Sequence, residues 1–347
     1  MLKQVLKITA KVCVSYFAAF LLLLHYWIFF KLFKVGDDAL KRSRLQRGFQ
    51  KNIERMIGFA CLPFEEKPIV KIVTELNDSL LNDFINDRFA AIHIKGFLNT
   101  EENQFFLDKI AGQQSQNSLI ANGVKTDTDN IGYTEQVLQI LDLYYGEQEL
   151  EQALKRNMEL RELLSNGNYF SPIAKLTWKL NEMHPNGARK LNSRYSRRFS
   201  WYQSLGYSIR IYHDKSEDDF AKQASRKFRG FIHRDAPSEA ERKSKQLVGF
   251  AANIYHQISC GGELYIWSTM SRTKIQKACN FLVQNLSQER LYNFVSQCCP
   301  EPEIISPEPG DLVLLNFSHM HAVNPSRGDQ RITSQSLIYI TKNGMIY

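Results

Sequence analysis

The chain has 347 residues, 44% of them apolar, with 44 Lys/Arg against 36 Asp/Glu and a formal net charge of +8. That suits one large domain with appendages or two smaller ones, with enough apolar material for a sizeable core. The charge is concentrated: residues 1–55 hold eleven Lys/Arg against Asp37, Asp38 and Glu54, so the remaining body is neutral and argues against nucleic acid as a partner.

The first predicted element is a membrane span, Val12 to Phe30, which contains no formal charge. Nineteen helical residues reach about 28 Å, the thickness of one hydrocarbon core. Tyr26 and Trp27 suit the interfacial belt, and Lys31 and Lys34 end the run. No small-residue cleavage site follows, which disfavours a signal peptide. Lys and Arg are denser after the span than before it, so the body is expected on the cytoplasmic side, with the basic collar on anionic headgroups. Six cysteines, among them the adjacent Cys298 and Cys299, show neither zinc spacing nor a disulfide framework. They read as reduced thiols.

Residues 32–87 read as a basic juxtamembrane connector from the anchor (1–31) to a body spanning 88–347. The run Arg88–Phe97 alternates and breaks at Gly96, as a strand does. Thr100 is placed to cap a helix through Ile110. The polar stretch 113–130 reads as a loop. Val137, Ile140, Leu141 and Tyr144 recur at helical spacing within a helical region from Thr134 to Leu164, and a further helix is expected over Ile173–Met183. Beyond Trp201 the texture turns to short strands: 207–212, 229–235, 247–255, 263–267, 312–317 and 333–340. Strands divided by turns predict a double-sheeted jelly roll, and so an α+β chain with helices on its N-terminal side.

One ordered set of residues carries chemistry. In the strand 229–235, His233 and Asp235 point to one side while Arg234 turns away. Gly261-Gly262-Glu263 makes a tight turn shortly afterwards. Pro309-Gly310-Asp311 opens the apolar run LVLLNF, which delivers His319 and His321, and Arg331-Ile332-Thr333 begins the last strand. Two imidazoles and a carboxylate are the donor set of a non-haem Fe(II) centre with open positions. A lone His-x-Asp is weak evidence; the order of the later pieces makes it specific.

In that order, across residues 205–341, the chain resembles the Fe(II)/2-oxoglutarate-dependent dioxygenases, especially the prolyl-hydroxylase-like branch. The resemblance implies a double-stranded β-helix with supporting N-terminal helices. It implies Fe(II) held by His233, Asp235 and His321, with His319 the rival distal ligand. The run His321-Ala322-Val323-Asn324-Pro325 before Arg331 favours His321. Arg331 would grip the distal carboxylate of 2-oxoglutarate, its guanidinium being always charged and able to bind bidentately. Thr333 would add a hydroxyl, and Tyr212 would stand against the co-substrate, although a packed core tyrosine is an equal reading. The implied activity is hydroxylation of an unactivated C–H with release of succinate and carbon dioxide. Asp235 fills the position that related halogenases leave small. Leu337 stands where the nucleic-acid demethylases of the family carry a second arginine.

The bland readings go elsewhere. His213-Asp214 opens a solvated acidic insert, and His256 and Cys260 are packing residues. The same holds for Trp267, Trp201 and Tyr265. Two rival functions remain: a silent jelly-roll binding module at the membrane, and a lumenal prolyl or lysyl hydroxylase of reversed topology. The substrate class is open between a small molecule, a lipid and a protein side chain.

Overall fold

The computed structural model describes residues 69–346 outside the stretches 112–127, 166–170, 213–231, 234–247 and 268–291 and some shorter breaks. The expected anchor and most of the connector lie outside the described residues. Among those that are described, no helix is long and apolar enough to cross a membrane.

The strands in chain order are β1 (Val70–Val73), β2 (Ala91–Ile94), β3 (Thr128–Ile131), β4 (Ala188–Arg189), β5 (Ser208–Tyr212), β6 (Val248–Gln257), β7 (Cys260–Gly261), β8 (Leu264–Trp267), β9 (Glu303–Ile305), β10 (Leu312–Asn316), β11 (Met320–Val323), β12 (Ser326–Arg327), β13 (Arg331–Thr341) and β14 (Gly344–Ile346). The helices are α1 (Asp78–Ile85), α2 (Thr100–Ile110), α3 (Glu147–Ser165), α4 (Pro172–Met183) and α5 (Tyr195–Arg198). Nine strands form the major sheet, in the order β1-β2-β10-β6-β13-β14-β4, with β5 joining the first half of β13 and β3 joining β5. The minor layer consists of β11-β8-β9 and the pair β12-β7.

Alternation along β10 shows how the layers are assembled. Val313 and Leu315 meet Ala251 and Tyr255 of β6 and Leu264 and Ile266 of β8, so this face looks across to the minor sheet. Leu312 and Leu314 point the other way, into a core with Phe84, Phe106, Ile173 and Leu176 of the helices. A strand buried on both faces reads as an unbroken apolar run, which is why LVLLN has no polar alternation. These two cores make the sheet a jelly-roll layer with its helices on the outer face.

Several expectations needed correction. Residues 70–85 were assigned to the connector, yet β1 pairs in parallel with β2, and Leu81 and Phe84 of α1 are buried in the core. VKIV is four residues long with Lys71 inside it, too short a run to announce a strand. The stretch 113–130 is not all loop, because β3 begins at Thr128 and pairs with β5. The cap of α2 is Asn99 rather than Thr100. Its side chain accepts the Glu102 N–H at 2.8 Å, and the Glu102 carboxylate accepts the Asn99 N–H at 2.9 Å. Asparagine caps better than threonine, and the reciprocal pair settles the register.

Two buried polar clamps fix the helices and loops to the major sheet. The His256 Nδ1–H donates to Asn103 Oδ1 at 2.8 Å, while Nε2 accepts from the Ser334 hydroxyl at 2.8 Å. Asn103 Nδ2 donates in turn to the His256 carbonyl at 2.8 Å, which orients the amide and so sets the tautomer. Phe106 stacks on the imidazole with centroids 4.0 Å apart. Burial alone pulls His256 down to about 3, so the ring is neutral at ordinary pH. In the second clamp, Asp311 takes His93 Nε2 at 2.7 Å and the N–H groups of Gly96 and Glu308 at 2.8 and 2.9 Å. Burial raises this carboxyl, but the three donors outweigh it and its pKa ends below the ordinary value.

Candidate active site

His233 and His321 face each other. The two residues exchange both backbone bonds, N–H to O at 2.9 Å in each direction, as an isolated antiparallel bridge on the edge of the minor sheet. Side chains of such a pair stand on the same face. Their rings lie 4.3 Å apart, centroid to centroid, and are tilted by 54°. His321 Nδ1 donates to the His319 carbonyl at 3.3 Å, so the lone pair of the neutral ring sits on Nε2. His319 occupies the turn after β10, and its own Nδ1 is bonded to the Trp267 carbonyl at 3.2 Å. The structure therefore brings His321, not His319, against His233. Asp235 lies outside the described residues. Among those that are described, no three donors cluster as a metal site.

The co-substrate residues predicted from sequence converge on the facing surface of the major sheet. Arg331 and Tyr212 are direct cross-strand partners, and Thr333 follows on the same face. Arg331 is 4% exposed and Thr333 also 4%. The guanidinium carbon stands 3.6 Å above the centre of the Tyr212 ring. Its Nε is buried and, among the described residues, has no hydrogen-bond partner. A buried cation with an unmet donor is costly unless an anion completes it. Tyr212 is held below the usual phenol range: burial raises it, but the charges of Arg210 and Arg331 outweigh burial.

Sequence reasoning missed Tyr255. It is buried, pairs with Thr333 across β6 and β13, and is pushed up to about 12 by burial, against the pull of Arg331. Its phenol is thus a permanent donor beside the arginine. A β-bulge between Ile332 and Thr333 sets this arrangement: Ile332 pairs with Gln257, and Thr333 with Tyr255. The skipped residue is His256, whose ring turns to the helix side. A bulge re-aims neighbouring side chains, and no local sequence signal marks it.

No protein-family model matches the chain, and no curated protein matches it. Solved structures do. An oxidoreductase of the 2OG-Fe(II) oxygenase family from Burkholderia pseudomallei is 13% identical, covering 79% of this chain and 96% of its own, with a TM-score of 0.39. An N-substituted L-amino acid dioxygenase from Burkholderia ambifaria is 12% identical, covering 78% of this chain and 90% of its own, with a TM-score of 0.45. A prolyl-4-hydroxylase from Pseudomonas putida is 10% identical, covering 75% and 96%, with a TM-score of 0.33. These likenesses are distant, and none of them fixes the role of a residue here.

Proposed function

We propose that this chain is an Fe(II)- and 2-oxoglutarate-dependent oxygenase that hydroxylates an unactivated C–H with one atom of dioxygen, the other entering succinate as 2-oxoglutarate loses carbon dioxide. The observation that carries the reading is the His233–His321 pair on one sheet, facing a sheet that bears the buried Arg331 and its unmet Nε donor. The two facing imidazoles suit a metal, and the buried arginine with its unmet donor suits a carboxylate. His233, His321 through Nε2, and Asp235 two residues beyond His233 would hold Fe(II), a ligand set that leaves positions open. Arg331, with Thr333 and Tyr255 beside it and Tyr212 against it, would hold 2-oxoglutarate by its distal carboxylate.

When bound, iron would activate dioxygen at the expense of 2-oxoglutarate, whose oxidation to succinate and carbon dioxide takes up one oxygen atom and leaves the other for the substrate, chemistry that no side chain has. The protein's own part is orientation and exclusion of water. The His319 carbonyl fixes the ring of His321. Arg331, 4% exposed, would neutralise a carboxylate in a setting too buried for water to do so. Leu264, Ile266, Val313 and Leu315 wall the space between the sheets with apolar surface.

The proposal includes a membrane anchor at Val12–Phe30, with the body in the cytoplasm, supported by the uncharged run and the Lys/Arg excess beyond it. An anchored enzyme reaches substrates at or near the bilayer, whether a lipid, a protein side chain or a small molecule.

The test is anaerobic titration of the protein with Fe(II) and 2-oxoglutarate, following the metal-to-ligand charge-transfer band. The band is expected in the wild type, absent in His321→Ala and His233→Ala, retained in His319→Ala and weakened in Arg331→Ala. A wild type that folds, yet binds neither iron nor co-substrate, would leave the jelly roll as a binding module.

A further inference from the structure

The floor of the major sheet holds a second guanidinium that the reading above does not use. Arg210 and Tyr212 on β5 stand opposite Thr333 and Arg331 on β13. Residues two apart in a strand share a face, so the four side chains form a two-by-two patch. Ile209 and Ile211, which alternate with them, belong to the helix-side core, which puts the patch on the face that looks toward the minor sheet. Among the described residues neither arginine is paired with a carboxylate. The Arg331 guanidinium lies over the Tyr212 ring, and the nearby charges of both arginines more than offset the effect of burial on the phenol.

Two like charges on one face call for more negative charge than the described residues supply there. 2-Oxoglutarate brings two carboxylates, one beside its oxo group at the metal and one for Arg331, and neither is left for Arg210. The arginines also differ in access, for Arg331 is buried while Arg210 is only half-buried. The first suits the base of a pocket, and the second a molecule arriving after the co-substrate. We infer that Arg210 recognises a carboxylate of the substrate itself, so that the substrate class is an organic acid. This rests on the oxygenase reading and narrows it.

The test uses the full-length chain loaded with Zn(II), a redox-silent stand-in for iron, and saturated with 2-oxoglutarate. Ligand-observed NMR then compares matched pairs of small carboxylic acids and their primary amides. Acids should outbind their amides by at least tenfold in the wild type. Arg210→Gln should erase that preference while leaving 2-oxoglutarate affinity within threefold, and Arg210→Lys should restore part of it, which a merely structural role would not do. Thermal melting of each variant confirms that it is folded. The inference is overturned if the wild type shows no preference for acids, or if Arg210→Gln weakens 2-oxoglutarate as much as Arg331→Gln does, which would make Arg210 a co-substrate residue. A wild type that takes up no 2-oxoglutarate at all removes the oxygenase reading instead, and the inference falls with it.

Discussion

Arg331 is the residue on which most depends, and its setting makes a quantitative expectation possible. It is 4% exposed, lies over an aromatic ring and has an Nε–H that no acceptor among the described residues meets. A charge-assisted hydrogen bond contributes about 1.5–3 kcal/mol. Removing a bidentate pair by Arg331→Gln should therefore weaken 2-oxoglutarate roughly 10- to 100-fold in calorimetric titration, with iron binding unchanged. Arg331→Lys should recover little, because an ammonium lacks the planar fork. Equal affinity in all three proteins would remove the arginine from the site. The arginine and both histidines were legible as residue types. Tyr255 and Arg210 were not, because nothing in a strand's own sequence says which neighbour it lies beside.

At the scale of elements, the turn before β10 is the most sharply constrained. Gly310 has a φ of 93°, and a Cβ there would lie 2.5 Å from the Leu98 carbonyl oxygen. The obstacle is backbone and cannot swing aside. The same turn places Asp311, which gathers His93 and two backbone N–H groups. Gly310→Ala should cost about 2 kcal/mol or more, read as a lower urea midpoint at unchanged slope. A midpoint within error of the wild type would show that the backbone relaxes freely. Pro309-Gly310-Asp311 was readable as a strand opener. Its clamp on His93 was not, since the two partners are 218 positions apart.

For the whole molecule, pH and topology give two further tests. His256 is pulled to about 3 when folded, against 6.5 for an ordinary histidine. As pH falls below 6.5 the unfolded chain takes up a proton that the folded chain refuses. Stability is thus full above 6.5 and drops by about 1.4 kcal/mol per pH unit toward 3. Asp311, held below its ordinary value, adds a second loss as pH falls further. Urea midpoints at pH 7.5, 6.0 and 5.0 should fall in the wild type, with a shallower slope in His256→Gln. A wild-type midpoint that stays flat would mean that the ring protonates in place. Topology is read in sealed membranes, where a cytoplasmic body is digested by added protease; protection of the body would favour the lumenal alternative.

The sequence by itself determined what local patterning can encode. Alternation and turn residues announced the strands β5, β6, β8, β10 and β13, and helical spacing announced α4. The order of His233, Asp235, His321 and Arg331 announced a chemistry by resemblance, because donor types and their order along the chain can be read without knowing which side chains meet. Only the tertiary structure decided which side chains meet. Cross-strand register placed His321 rather than His319 against His233, and a single bulge set Tyr255 beside Thr333 while turning His256 to the helices. The pairing of β5 with β13 likewise set Arg210 beside Thr333. Each of these is a choice between partners distant in sequence, fixed by which register buries the apolar faces and satisfies the buried polar groups together. That balance belongs to the assembled sheets and to no segment alone.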